Sequence, residues 1–268
     1  DHPLGTVVVD ALEGARAPEF CRQDGFAYRF DWGLDGLEAL APHAAVVVVI
    51  DVLRFTTAVC CALEAGAEVL PYRWKDHTAA EYAAQHGATL AGRRELGELS
   101  LSPTDLLTAP PGTRLVLPSP NGSTIAVRAR EFGVANILAG SIRNATSTAS
   151  AARALAGGAP IAVIAAGERW GTADGPLRPA VEDLIGAGAV LAALDPSAAM
   201  SAPNCSPEAA AARAAFVAAR PRLYQSLCDC ASGRELLSRG WEDDVATSAA
   251  HDVSTAVCQL VGPEFRSI

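Results

Sequence analysis

A carboxylate, a guanidinium group and two hydroxyls directly follow an uninterrupted apolar run, and this combination can do chemistry. The run is VVVVI at positions 46–50, and Asp51, Arg54, Thr56 and Thr57 come after it. Apolar, mostly β-branched residues in succession predict a strand that is buried on both faces, as in a parallel sheet. Because a carboxylate at the end of such a strand needs a partner, Asp51 is a candidate catalytic or metal-binding residue.

Three further predicted strands end in segments that are rich in polar residues and glycine. The segments are 119–124 after a strand at 114–117, 140–144 after one at 135–139, and 167–174 after one at 160–166. The carboxyl ends of parallel strands lie along one edge of a sheet, so all four segments are expected to converge. Together with Thr56 and Thr57, the residues that we expect to bind substrate are Asn121, Gly122, Ser123, Thr124, Arg143 and Arg169.

The residue types at these strand ends indicate an anionic ligand and a hard metal ion. Helix N-termini offer unpaired N–H groups, and arginine binds phosphate or sulfonate through two parallel hydrogen bonds. Carboxylates suit Mg²⁺, which also takes water and phosphate oxygens as ligands. We expect Asp51, Arg54 and Glu168 to be catalytic, and we expect Asp51, Glu182 and Asp183 to bind Mg²⁺. Since neighbouring residues on a helix point about 100° apart, only one of the last two is expected to contact the metal directly.

Ordinary structural interpretations of the same residues stay open on sequence alone. Thr56 and Ser123 are also suitable helix N-caps, and the Asn-Gly pair at 121–122 is a common turn sequence. Arg54 can instead neutralise Asp51 in a salt bridge. The sequence does not distinguish attack on phosphorus by a metal-activated water from attack by Asp51 itself.

A cysteine phosphatase is an alternative from another mechanistic class. Cys228 and Arg234 have the Cys-x5-Arg spacing of such enzymes, but they follow a helical pattern, whereas that loop should follow a strand. The chain has seven cysteines without a CxxC pair, so buried free thiols are expected.

Composition limits the partners and the location that we expect. The chain has 268 residues, of which 50% are hydrophobic, and its net charge is −9. A negative chain without a basic patch is not expected to bind nucleic acid or a membrane surface. No apolar stretch approaches the roughly 20 residues of a membrane span, and no signal-peptide pattern occurs at the N-terminus, so a cytoplasmic protein is expected.

Alternating apolar strands and helices predict an α/β fold with a mostly parallel sheet and helices on both faces. Strands are predicted at 6–9, 46–50, 68–72, 88–91, 114–117, 135–139, 160–166 and 255–261. Helices are predicted at 56–65, 78–86, 123–132, 144–156 and 180–194, with loops at 19–40, which includes a short helix, and 93–111. Residues 205–250 predict a helical C-terminal portion with a break near 232–233. We expect one domain at 1–268, or two closely packed α/β subdomains with a boundary near 105–115.

Several of these segments, in this order, resemble the 2-phosphosulfolactate phosphatase (ComB) family. They are IDVLRFTTAVCCALEAGAEVLP, SPNGST, residues 140–144, AAGERW, AVEDLIGAGA and SGRELLSRGWEDDV, which together span roughly residues 46 to 260. The resemblance implies an α/β fold peculiar to the family. It also implies a Mg²⁺-dependent phosphatase that converts 2-phosphosulfolactate into sulfolactate and phosphate, a step of coenzyme M biosynthesis.

One segment departs from the pattern of that family. Family members usually carry an acidic residue in a Gly-Glu-Arg segment in the region of 92–103, where this chain has Gly92, Arg93 and Arg94. The change removes a carboxylate and adds positive charge. The partner that the resemblance implies is a small phosphorylated acid with a sulfonate or carboxylate group, and a homodimer is left open. The alternative is a non-catalytic or diverged anion-binding protein of the same fold.

Overall fold

The structure is a computed structural model that describes residues 17–73, 76–172, 175–196 and 204–268. The predicted strand at 6–9 lies outside these residues. The strands are β1 (Tyr28–Trp32), β2 (Val46–Ile50), β3 (Glu68–Tyr72), β4 (Thr89–Leu90), β5 (Arg114–Pro118), β6 (Asn136–Gly140), β7 (Ile161–Ala165), β8 (Glu168–Arg169), β9 (Leu177–Arg178), β10 (Cys258–Val261) and β11 (Glu264–Ser267). The α-helices are α1 (Gly33–Leu40), α2 (Phe55–Glu64), α3 (His77–Gln85), α4 (Pro103–Leu106), α5 (Gly122–Glu131), α6 (Ala145–Ala156), α7 (Val181–Leu194), α8 (Pro207–Ala219), α9 (Leu223–Asp229), α10 (Ala231–Ser238) and α11 (Glu242–Ala249).

Nine of the described strands form one sheet in the order β1-β7-β2-β6-β10-β11-β3-β5-β4. The pairs within β1-β7-β2-β6 are parallel, and so are the pairs within β3-β5-β4. Strands β10 and β11 form an antiparallel hairpin that pairs with β6 on one side and β3 on the other. The C-terminal hairpin therefore joins two parallel groups of strands, and the prediction of a mostly parallel α/β sheet is confirmed.

Strand β2 lies inside the sheet, and all of its residues are buried. Val46, Val48 and Ile50 pack into a core that contains residues of α6, α7 and α8. Val47 and Val49 pack into a second core on the opposite face, with residues of α1, α2 and α5. Burial on both faces explains why this strand is uninterruptedly apolar, and it confirms that helices cover both faces of the sheet.

The C-terminal portion is helical, as predicted, from α8 to α11. Helix α8 packs closely on α7, since a Cβ at Gly188 would lie 2.1 Å from the carbonyl oxygen of Ala212. Within the described residues, no helix is both long enough and apolar enough to cross a membrane.

Four of the described strands occur where the sequence predicted none: β8 and β9, which pair with each other outside the main sheet, and β1 and β11 within it. Strand β1 falls in the predicted loop at 19–40, and β11 follows the predicted C-terminal strand. Both contain buried charged residues that hide the apolar pattern. Arg29 in β1 donates to the carbonyl oxygens of Phe26 and Arg22, and Glu264 in β11 accepts from Arg114.

The interpretation of Thr56 and Ser123 as N-caps is wrong. Helix α2 begins at Phe55 and α5 begins at Gly122, so both hydroxyls lie within the first helical turn. The Thr56 hydroxyl donates to the carbonyl oxygen of Asp51, and that of Ser123 donates to the carbonyl oxygen of Leu117. Each hydroxyl therefore fixes the turn between a strand and the helix that follows it.

The contact between α7 and α8 predicts the effect of G188A on stability. At an exposed helical position, Gly→Ala stabilises a protein by roughly 0.5–1 kcal/mol. Here the added methyl group would overlap Ala212 and Phe216, so we expect G188A to lower the free energy of unfolding by about 2 kcal/mol. Urea unfolding measures this change, and A211G on the exposed face of α8 is the control for helix propensity. A stabilised G188A protein would contradict the described packing.

Candidate active site

Asp51 lies directly after β2, and only 5% of its surface is exposed. Its Oδ1 accepts a hydrogen bond from the backbone N–H of Phe55 at 3.2 Å. Its Oδ2 accepts one from the N–H of Gly122 at 2.8 Å and one from the Ser119 hydroxyl at 3.3 Å. Burial raises the pKa of Asp51, and these hydrogen bonds oppose the rise. The carboxylate thus joins the carboxyl ends of β2 and β5.

Gly122 is required at its position by this contact. A Cβ on residue 122 would lie 2.7 Å from Asp51 Oδ2 and 2.5 Å from the ring of Phe55. Only glycine lets the N-terminus of α5 approach the carboxylate closely enough to donate its backbone N–H.

Asp183 is a second buried carboxylate, in the first turn of α7. Its Oδ1 accepts a hydrogen bond from the N–H of Val52 at 2.7 Å, and its Oδ2 accepts one from the N–H of Gly167 at 2.9 Å. Burial first, and then the charges of Asp51 and Glu182, raise the pKa of Asp183 well above its usual value. Asp183 therefore ties the ends of β2 and β7 to α7, and its direct contact with a metal stays a prediction.

Glu182 is only 2% exposed, and its Oε2 accepts no hydrogen bond from the described residues. A buried, ionised carboxylate oxygen without a donor is unfavourable, so this atom is suited to a cation. The thiol of Cys230 lies against Glu182, and its pKa is raised to about 12 by burial and then by the charge of Glu182. Neighbouring Glu182 and Asp183 therefore differ: Asp183 is saturated with backbone donors, and Glu182 is not.

Glu168, in β8, completes the acidic group. Its Oε2 accepts a hydrogen bond from Asn121 Nδ2 at 3.0 Å. Burial raises its pKa to about 7, and the negative charge of Asp51 contributes to the same shift. A carboxyl group with this pKa can hold or release a proton near neutral pH.

These carboxylates fit Mg²⁺ by the type of their atoms. Within the described ranges, no three His, Cys, Asp or Glu side chains are already arranged around a metal position. Mg²⁺ does not need such an arrangement, since it usually keeps several waters and binds one or two carboxylates together with phosphate oxygens. The unpartnered Glu182 Oε2 and the charge repulsion that raises the pKa of Asp51 and Glu168 both favour a cation here.

Arg54 pairs with Asp244, so the interpretation of a salt bridge between Arg54 and Asp51 is wrong. Arg54 Nη1 donates to Asp244 Oδ2 at 2.9 Å, and the guanidinium group lies 4.6 Å from the ring centre of Trp241. Asp244, in α11, is fully buried and also accepts from the Ser102 hydroxyl. Arg94 Nη1 lies 3.2 Å from the same carboxylate oxygen. One carboxylate thereby holds two arginines from segments that are distant in the sequence.

Two connected pockets open at this edge of the sheet. The smaller one, which we call the carboxylate pocket, has a volume of about 220 Å³ and is lined by residues that include Asp51, Ser119, Asn121 and Glu168. The larger one, which we call the arginine pocket, has a volume of about 440 Å³ and is lined by residues that include Arg54, Arg93, Arg94 and Arg239. The pockets share Arg54, Leu101, Arg239 and Trp241. An acidic compartment therefore adjoins a basic one.

Several predicted substrate-binding residues lie outside these linings. The hydroxyls of Thr56, Thr57 and Ser123 are buried and donate to backbone carbonyl oxygens. Thr124 is also buried. Arg143 donates to Glu64 and to the carbonyl oxygen of Thr247, whereas Arg169 donates to that of Gly175. The structure therefore brings Asp51, Arg54, Asn121 and Glu168 together at the pockets, with Gly122, Glu182 and Asp183 directly behind them.

The sequence did not identify Arg94, Arg239, Trp241 or Asp244 as parts of this site. The only sequence signals were the Arg93-Arg94 pair and the acidic start of α11, EDD. Of those three acids, Glu242 and Asp243 are exposed and only Asp244 is buried. The sequence pattern does not distinguish Asp244 from the other two acids, because its partner Arg54 lies 190 positions away in the sequence.

The fold and the site define a class: α/β proteins with a polar ligand pocket at the carboxyl ends of parallel strands. The sequence model of the family described as 2-phosphosulpholactate phosphatase matches residues 36–263, and the chain belongs to this family. A similar protein is the "Probable 2-phosphosulfolactate phosphatase" of Thermus thermophilus. It is 32% identical over 150 residues, which cover 53% of this chain and 59% of that protein. The alignment thus spans about three fifths of the relative's length.

The raised pKa of Glu168 predicts how stability depends on pH in metal-free protein. The folded protein binds this proton more tightly than the unfolded chain, since the pKa rises from 4.5 to about 7. The stability contribution of this group is therefore complete below the unfolded pKa and is lost as the pH rises through about 7. Relative to the wild type, we expect E168Q to reduce the loss of stability between about pH 5 and 8 by roughly 2 kcal/mol.

Urea unfolding in the presence of EDTA measures this difference. E81Q, at an exposed position of α3, is the matched control and should keep the pH dependence of the wild type. An E168Q protein with an unchanged pH dependence would show that Glu168 does not carry a raised pKa.

Proposed function

We propose that this protein is a Mg²⁺-dependent phosphatase that hydrolyses the phosphate monoester of a small 2-phospho acid. The substrate that we propose is 2-phosphosulfolactate, or a closely related acid, and the products are the hydroxy acid and inorganic phosphate. The observation that carries this proposal is the group of buried carboxylates beside an arginine-lined pocket. With 2-phosphosulfolactate as substrate, the reaction would belong to coenzyme M biosynthesis. A cytoplasmic location and a homodimer stay predictions.

Asp51 and Glu182 are the proposed metal-holding residues, with Asp183 as the alternative to Glu182. Glu182 is preferred to Asp183 because its Oε2 has no donor among the described residues, whereas both oxygens of Asp183 are occupied by backbone N–H groups. Both oxygens of Asp51 also accept backbone N–H groups, but Asp51 lines the carboxylate pocket and Asp183 does not. When bound, Mg²⁺ would supply positive charge for the phosphoryl oxygens and would favour ionisation of a water. Side chains of the protein would bind the phosphate group and donate the proton, and the attack on phosphorus falls to water or to Asp51.

Arg54 and Asn121 are the proposed phosphate-binding residues. Arg54 lines both pockets and is held against Asp244 and Trp241, so its guanidinium group is oriented before a ligand binds. Asn121 lines the carboxylate pocket and already donates to Glu168. Charge that develops on the phosphoryl oxygens would be stabilised by fixed donors of this kind.

Glu168 is the proposed proton donor. In the metal-free protein its pKa is raised to about 7, so it can hold a proton near neutral pH, and it lines the carboxylate pocket. The proton would pass to the ester oxygen as the bond from that oxygen to phosphorus breaks, and the hydroxy acid would leave. The attacking group is water or Asp51, and trapping of labelled phosphate on Asp51 would identify the second route.

A panel of phosphorylated small acids, assayed with Mg²⁺ and with EDTA, tests the proposed function. We expect turnover with Mg²⁺ and loss of turnover with EDTA. D51N should lower kcat/KM by at least roughly 100-fold, because it removes a charge that touches the reacting group. E182Q should raise the Mg²⁺ concentration needed for half-maximal rate. D229N, at an exposed position of α9, should behave like the wild type.

The outcomes of this panel separate the alternatives. Absence of turnover together with tight phosphate binding would favour the non-catalytic anion-binding protein, for which Arg93 and Arg94 in the arginine pocket are the motivating observation. EDTA-resistant turnover that is lost on alkylation would favour a cysteine phosphatase. Cys228 is buried within α9 and does not follow a strand, so we expect activity to survive alkylation.

A further inference from the structure

The arginine pocket has more hydrogen-bond donors than the protein itself uses. Each guanidinium group carries five N–H donors. Arg54 uses Nη1 for its bond to Asp244. Arg94 Nη1 is buried and lies 3.2 Å from Asp244 Oδ2, but without the alignment of a hydrogen bond. Among the described residues, no carboxylate lies within ion-pairing distance of the Arg93 guanidinium group, and Glu98 accepts from the backbone N–H of Arg93. Unused donors of this kind indicate an anionic ligand.

The charge of the lining agrees with this conclusion. Four arginines line the arginine pocket, and Glu95 is the single acidic residue of the described lining. Asp244 lies between Arg54 and Arg94 and neutralises part of their charge, and Glu235 pairs with Arg239 at 2.7 Å. Asp105 lies 3.6 Å from Arg94 Nε. The lining itself therefore contains more arginines than acids, because the acids that pair with Arg54, Arg94 and Arg239 do not line the arginine pocket.

Three arginine side chains of the pocket are also held in place by other residues of the protein before a ligand binds. Asp244 is fully buried, and it connects Arg54 to Arg94. The guanidinium groups of Arg54 and Arg239 lie 4.6 Å and 5.2 Å from the ring centre of Trp241. A planar guanidinium group held in this way can form two parallel hydrogen bonds with a carboxylate or sulfonate.

We propose that the arginine pocket binds the acidic group of the substrate, and that Arg93 and Arg94 determine the preference for esters that carry such a group. This inference rests on the proposed function, in which the phosphoryl group occupies the adjoining carboxylate pocket. Arg54 and Arg239 line both pockets and so lie between the two charged ends of a bound ester. Arg143 and Arg169, which the sequence suggested for this task, line neither pocket. Asp244 is a positioning residue for Arg54 and Arg94.

The proposal predicts a change in substrate preference in R93Q and R94Q. The probes are 2-phospholactate and its amide, which have the same phosphate ester but differ in the charge of the second group. For the acid, each variant should raise KM by about 10- to 100-fold with little change in kcat, since a charge-assisted contact is lost. For the amide, KM should stay within about twofold of the wild type. R94K should restore part of the preference, and R220Q, at an exposed position after α8, is the control for loss of one positive charge.

A binding measurement keeps this inference separate from the proposed function. The phosphonate analogue of 2-phospholactate and its amide cannot be hydrolysed, and calorimetry gives the affinity of each. Tighter binding of the acid by the wild type, and loss of this difference in R93Q and R94Q, would support the arginine pocket even without turnover of any ester. An acid preference that persists in both folded variants, or that is absent from the wild type, would overturn the inference. If the wild type hydrolyses none of the esters but binds the acid analogue more tightly than the amide, only the proposal of a phosphatase is rejected.

Discussion

The burial of three carboxylates at the ends of β2 and β7 is the constraint on which the rest of the structure depends. Asp51, Glu182 and Asp183 are each at most 5% exposed, and burial first, then the charges of the other two, raise the pKa of Asp183. Burying ionised groups together is unfavourable unless donors or cations compensate. Asp51 and Asp183 are compensated by backbone N–H groups from the segments that follow β2, β5 and β7. This requirement fixes how those segments approach one another.

At Glu182 this compensation is incomplete, and a buried carboxylate oxygen without a donor can bind a cation. If every carboxylate oxygen were satisfied by the chain, the acidic group would be purely structural. Glu182 Oε2 has no donor among the described residues, and Glu168 has a pKa of about 7. The described residues therefore leave, close to Asp51, one carboxylate oxygen without a donor and one carboxyl group that can bind a proton near neutral pH.

The basic half of the site depends on the C-terminal helices in the same way. Asp244 in α11 has no exposure, and it is the acid that anchors Arg54 after β2 and Arg94 in the segment between β4 and β5. Loss of that one carboxylate would leave two arginines without their shared anchor. The helical portion therefore contributes to the lining of both pockets of the candidate site as well as covering the sheet.

The sequence predicted those features that depend on local pattern. Strand β2 and helix α7 are strongly apolar, so they were identified, and the position of Asp51 at a strand end followed from them. Strands β1 and β11 were missed because Arg29 and Glu264 are buried with partners that no local pattern shows. Asp244 was missed for the same reason. Arg143 and Arg169 do follow strands, but their side chains bond to other parts of the chain, and orientation of this kind depends on tertiary contacts.

The most direct test of the central claim is to locate a divalent cation in crystals soaked with Mn²⁺ and inorganic phosphate, by anomalous diffraction. We predict an anomalous peak directly behind the lining of the carboxylate pocket, in contact with Asp51 and with Glu182 Oε2, which has no donor among the described residues, and loss of that peak in E182Q. A fully occupied Mn²⁺ position elsewhere, or no peak at saturating Mn²⁺, would contradict the account.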